Sequence, residues 1–149
     1  MASDAFYDAV VGVWPATARL LNPYAGRSTS NCPAVAAAVG RYLDTEEVHP
    51  APSGFGSAFL VEGALRAASM AAILNTLSDH GDHCVVEARR IHASGEVFHF
   101  FNLLRVRGAF YYLDAYNRPA VATTEVASYT SVYSSFMFAP TIQTRRIPA

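Results

Sequence analysis

The sequence predicts an α+β domain in which N-terminal helices pack on an antiparallel β-sheet, and three observations carry that prediction. Before Gly81 the apolar residues recur at helical spacings, and after it they follow the shorter period of strands. The strand-forming stretches are separated by short turn signals, so consecutive strands should pair as an antiparallel meander. With 149 residues, 52% hydrophobic and 15% charged, the chain is long enough to bury a core and too apolar for disorder. Nothing marks a second domain, so residues 1–149 are expected to form one.

The first element is a helix from Ser3 to Trp14, capped by Ser3 or Asp4, with Phe6, Val10 and Val13 on one side. Pro15 biases Trp14 out of helical geometry, so a second short segment, Ala16 to Leu21, should follow. Asn22-Pro23-Tyr24-Ala25-Gly26 reads as a turn. Ser30-Asn31-Cys32-Pro33 then opens a small-residue helix running to about Leu43. Proline suits the first helical position, which makes Cys32 the N-cap.

Asp44 to Ser57 holds prolines and glycines and should be a surface loop, in its functional version the rim of a substrate groove, with His49 in solvent. Helical spacing returns from Phe59 to Ser78 and ends at Asp79-His80-Gly81. Strands are expected over Asp82 to His92, Val97 to Val106 and Ala109 to Ala115, joined by turns at Ala93-Ser94-Gly95-Glu96 and Arg107-Gly108. The pattern from Pro119 to Ala149 fits either a final helix or one or two strands.

Composition excludes several classes of function. A net charge of −1 leaves no electrostatic case for nucleic acid or a membrane surface as the main partner. Two cysteines, Cys32 and Cys84, make no disulfide framework and point to a reducing compartment. No stretch has the length of a transmembrane helix and no signal-peptide pattern opens the chain, so an export address would lie elsewhere, as in a longer secreted protein. All eleven basic residues are arginine. A GC-rich coding sequence explains that best, and the lack of lysine would also remove ubiquitin acceptors inside a eukaryotic cell.

Cys32 is the candidate nucleophile. At a helix N-terminus a thiol faces unpaired amides and the positive end of the macrodipole, and both favour thiolate. A small buried core cysteine is the alternative on position alone. The hairpin decides for chemistry. If Arg107-Gly108 are the two loop residues, Val106 pairs with Ala109 and Asp114 falls opposite Phe101, which puts His99 diagonally beside Asp114 on the same face. A loop one residue longer would put them on opposite faces. Asp114 would then orient His99, whose other nitrogen serves the thiol: nucleophile, base and orienter, as acyl transfer requires.

Other groupings carry less. His80, His83 and Cys84 have metal-like spacing without a fourth ligand, so no metal is expected. His92-Ala93-Ser94-Gly95-Glu96 lacks the spacing and paired cysteines of a zinc deaminase. Gly54-Phe55-Gly56-Ser57-Ala58 is neither a nucleophile elbow nor a phosphate loop.

From Asn22 to Asp114 the motifs resemble the papain-fold deamidase toxin domains of bacterial polymorphic toxins and effectors. Asn22-Pro23, Asn31-Cys32, His99-Phe100-Phe101-Asn102 and Tyr111-Tyr112-Leu113-Asp114 follow that family's order and spacing. The resemblance implies a papain-like cysteine hydrolase fold, with Cys32 as nucleophile, His99 as general base and then acid, and Asp114 as orienter. It implies a glutamine side chain of a target protein as substrate, no cofactor, and, as an option, a cognate immunity protein as partner. Secretion or injection by a bacterium and action in the cytoplasm of a target cell follow from the same likeness. A second cysteine after the first and a glutamine after the aspartate, frequent in the family, are missing here, as is an upstream glutamine for an oxyanion hole. The backbone N–H of Cys32 and the side chain of Asn31 are expected to serve instead. A cysteine protease, a transglutaminase and an inactive binding module are the competing readings.

Overall fold

The computed structural model describes residues 2–25, 31–53, 65–92, 95–117 and 121–140. Helix α1 (Asp4–Leu21) is capped by Ser3, whose Oγ accepts from the Phe6 N–H at 3.2 Å. The helix does not break at Pro15, contrary to expectation. Its buried stripe of Tyr7, Val10, Trp14, Ala18 and Leu21 continues at helical spacing past the proline, which lies on the exposed side. Burial of that stripe outweighs the cost of the missing N–H. Val13, expected on the core side, is half exposed.

Helix α2 (Cys32–Thr45) begins one residue earlier than predicted. The Asn31 carbonyl already accepts the Val35 N–H at 2.9 Å, so Asn31 is the N-cap and Cys32 the first helical residue. Glu46 ends the helix in the left-handed region at φ 64°, its N–H bonding Tyr42 O at 2.8 Å. Tyr7 Oη donates to Leu43 O at 2.8 Å, and the Ser3 N–H to Glu46 Oε2 at 3.2 Å, which ties α1 to the end of α2. The following chain is pinned rather than loose: the Ala51 N–H donates to Leu21 O at 2.8 Å. His49 stands in solvent beside Glu47. Residues 54–57 of the expected rim lie outside the described residues.

The helix expected from Phe59 to Ser78 is shorter where it is described. Strand β1 (Arg66–Ala67) precedes α3 (Met70–Thr76), which Ser69 caps through Oγ and the Ala72 N–H; residues 59–64 lie outside the described residues. Strands β2 (His83–His92), β3 (Gly95–Val106) and β4 (Ala109–Asp114) form the predicted meander. The tail supplies both kinds of element: β5 (Val121–Thr123), α4 (Val126–Thr130) and β6 (Ser135–Pro140). Strand β6 returns across the sheet to lie between β1 and β2, giving the order β1-β6-β2-β3-β4-β5 with every pairing antiparallel.

The fold class is therefore α+β, as predicted, with helices on both faces of the sheet. On one face α1 and α2 pack against Leu104 and Leu113. On the other, Ile73, Leu77 and Val126, from the α3 and α4 regions, pack with Val86, Phe101, Leu103 and Tyr112. Alternation along β3 separates the two sets, since Leu103 and Leu104 point to opposite sides.

Candidate active site

Cys32 stands in the first turn of α2 and is 9% exposed, packed with Ala36, Val85, Phe100 and Tyr116. Its helix is anchored to the sheet by Asn102, whose Nδ2 donates to Ala36 O at 3.0 Å in the buried interior. Both contacts put α2 on the face that displays Phe100 and Asn102. His99 belongs to the other face by alternation, with Phe101. Cys32 nevertheless acts on the His99 ring, and β4 ends at Asp114, one residue past the Asn102–Leu113 pair.

The turn has the predicted form. Val106 pairs with Ala109, and Arg107 takes the positive φ of 54° that a two-residue hairpin loop requires. His99 and Asp114 meet as the register predicts, Nε2 to Oδ2 at 2.6 Å. Asp114, 1% exposed, is held at every side: Oδ2 also accepts from Tyr112 Oη at 3.0 Å and from Asn117 Nδ2, while Oδ1 accepts the N–H groups of Tyr116 at 3.1 Å and Asn117 at 3.3 Å. A buried carboxylate needs such partners, and here they also fix its direction.

The His99 side chain is 10% exposed. Tyr133 stacks on it with centroids 6.4 Å apart and planes at 17°, and Tyr116 lies 5.8 Å away. Burial disfavours the charged ring, but hydrogen bonds to Asp114 and Cys32 and the negative charge of both outweigh it, raising the His99 pKa to about 9. Since Nε2 is engaged by Asp114, Nδ1 is the nitrogen left for Cys32.

Asn31 takes a different part from the one expected. Its Nδ2 donates to Asn22 Oδ1 at 3.2 Å and to Pro52 O at 3.0 Å, which engages both amide hydrogens inside the protein instead of offering them to an oxyanion. Asn22 in turn donates from Nδ2 to Ala115 O at 3.1 Å. A chain of buried amides thus links the residue before Cys32 to the residue after Asp114.

The discarded metal grouping is dispersed. His80 contacts the Asp4 carbonyl at 3.0 Å and Asp8, His83 lies 3.3 Å from Asp44 Oδ1, and burial pushes the Cys84 thiol up to about 12. No metal-binding group of three His, Cys, Asp or Glu residues occurs among the described residues. Sequence reasoning did not single out Asn22, Tyr112, Asn117 or Tyr133 as site residues. Asn117 had a signal, since an aspartate often accepts backbone N–H groups two and three residues on. Tyr133 had none, because it reaches His99 from a tail whose pattern was ambiguous.

Comparisons of the chain with protein-family models, with curated proteins and with solved structures give no match.

Proposed function

We propose that this chain is a papain-like cysteine hydrolase domain of a bacterial toxin or effector, and that it deamidates a glutamine side chain of a target protein. The observation that supports this best is the row Cys32, His99, Asp114: a cysteine at a helix N-terminus, a buried histidine whose proton affinity that cysteine helps to raise, and a buried carboxylate 2.6 Å from the far ring nitrogen. The recessed thiol favours a side-chain amide over a peptide bond. A carboxamide on a slender, unbranched stem can enter where the cysteine is 9% exposed, whereas a main chain with residues on both sides needs an open groove.

The cycle needs only these residues and water. Sγ of Cys32 attacks Cδ of the glutamine, and the tetrahedral oxyanion is met by the Cys32 N–H, which has no intrahelical acceptor in the first turn of α2. His99, held protonated by its neighbours, gives its proton to the amide nitrogen as the C–N bond breaks and ammonia leaves. The neutral ring then takes a proton from water, whose oxygen attacks the thioester. Collapse of the second intermediate breaks the C–S bond, frees glutamate, and restores the thiolate and the imidazolium. Asp114 keeps the ring oriented throughout.

In this reading the substrate protein is met in the cytoplasm of a target cell, and a cognate immunity protein would protect the producing cell. Proteomic mass spectrometry on cells expressing the domain or its Cys32→Ala form tests the chemistry. A glutamine converted to glutamate with the intact cysteine alone is expected. New chain termini would show a protease, crosslinks a transglutaminase, and identical proteomes a binding module.

A further inference from the structure

The carboxylate of Asp114 has a partner that the cysteine–histidine chemistry does not require. The Tyr112 hydroxyl, two residues earlier on β4, donates to the same Oδ2 that holds His99. Tyr112 is 2% exposed, and its ring packs with Phe101 at 4.6 Å and Tyr129 at 5.1 Å. Without it Asp114 would still be fixed by the N–H groups of Tyr116 and Asn117 and by Asn117 Nδ2. The added donor therefore changes the charge on Oδ2 more than its place.

Resting on the triad reading above, we propose that Tyr112 is a positioning residue whose hydroxyl shares Oδ2 with His99 and so weakens the hold of Asp114 on the imidazolium proton. His99 has to release its other proton, on Nδ1, to the leaving group and then take one from water there, and a carboxylate that stabilises the imidazolium too strongly through Nε2–H hinders the first step. Burial first, and the adjacent Asp114 charge second, push the Tyr112 pKa up, so the phenol stays a donor wherever His99 titrates. The other titratable or charged groups around the pair are Cys32 on α2, Tyr116 after β4, Tyr129 on α4, Tyr133 before β6, and Arg90 on β2, which acts on Tyr133. None of these is hydrogen-bonded to Oδ2, whose partners among the described residues are His99, Tyr112 and Asn117.

The test is an NMR titration of the His99 imidazole in the full chain and in Tyr112→Phe, which keeps the ring and removes the hydroxyl. The midpoint should rise in the variant by about half to one pH unit, as for loss of one donor to a neighbouring carboxylate. In an Asp114→Asn background the same substitution should leave it unmoved. A midpoint that stays or falls in Tyr112→Phe, with His99 titrating high in the unaltered chain, overturns the role of Tyr112 and leaves the triad standing. An ordinary midpoint in the unaltered chain overturns both. If Tyr112→Phe does not fold, the hydroxyl proton in the unaltered chain decides: a slowly exchanging resonance that shifts as His99 titrates supports the proposal, and rapid exchange with water overturns it.

Discussion

Asp114 Oδ2 lies 2.6 Å from His99 Nε2 although the two residues are 15 apart in sequence, and the Arg107-Gly108 turn is the reason. A two-residue loop fixes the register of β3 against β4, and the register fixes the diagonal. Changing Asp114 to Asn keeps the size of the side chain but removes the charge and reverses one donor–acceptor role toward the ring. Turnover on a target glutamine should drop by about 10²–10⁴-fold while the fold persists. Kinetics on the purified domain, with circular dichroism as the control, check this; an unimpaired Asp114→Asn enzyme would remove Asp114 from the mechanism.

The same bond makes stability depend on pH. The folded pKa of His99 is raised to about 9 by its partners against the opposing effect of burial, whereas the unfolded chain has an ordinary imidazole near 6.5. Below about 6.5 the ring is protonated in both states and the contribution is complete; between there and about 9 folding takes up a proton, so stability falls as pH rises. Urea titrations at pH 6, 7.5 and 9 should show a decline on the order of 1–3 kcal/mol that is absent in His99→Gln.

The two cysteines should separate cleanly by reactivity. Cys84 is completely buried on β2, and its thiol is pushed up to about 12, so it offers no thiolate at neutral pH. Cys32 lies at a helix start against the His99 ring. Brief treatment with iodoacetamide at pH 7, followed by peptide mass spectrometry, should label Cys32 and leave Cys84 intact until the protein is denatured. Slow or equal labelling of the pair would favour a binding module over an enzyme.

Legibility in the sequence followed the range of the interactions. The β2–β3–β4 meander and the His99–Asp114 diagonal were readable because turn length and alternation are local rules. Asn31 was misjudged because its partners, Asn22 and Pro52, come from other segments, and no spacing announces that a side chain's hydrogens are already engaged. Pro15 misled for a related reason: local geometry argued for a break, while burial of Trp14 and Leu21 on either side kept the helix whole. Strand β6 was hidden because its pairing with β2 spans dozens of residues, and its alternation is short.

Among the described glycines, Gly81 is the one where backbone and packing leave least choice. It has φ +88°, and a Cβ there would come within 2.3 Å of the Tyr7 ring, whose hydroxyl is bonded to Leu43 O. The Gly81 N–H also donates to Arg105 O at 2.7 Å, so the turn closes the sheet against α1. Gly81→Ala therefore meets two costs, an unfavourable left-handed backbone and a displaced buried aromatic. Together they should destabilise the fold by about 3 kcal/mol or more. Tyr7→Leu in the same chain relieves the clash but not the backbone cost, and it forfeits the bond to Leu43. The double variant should accordingly lose less than the sum of the two single losses, measured by urea denaturation. Strict additivity would mean that the Tyr7 ring does not limit the space at Gly81.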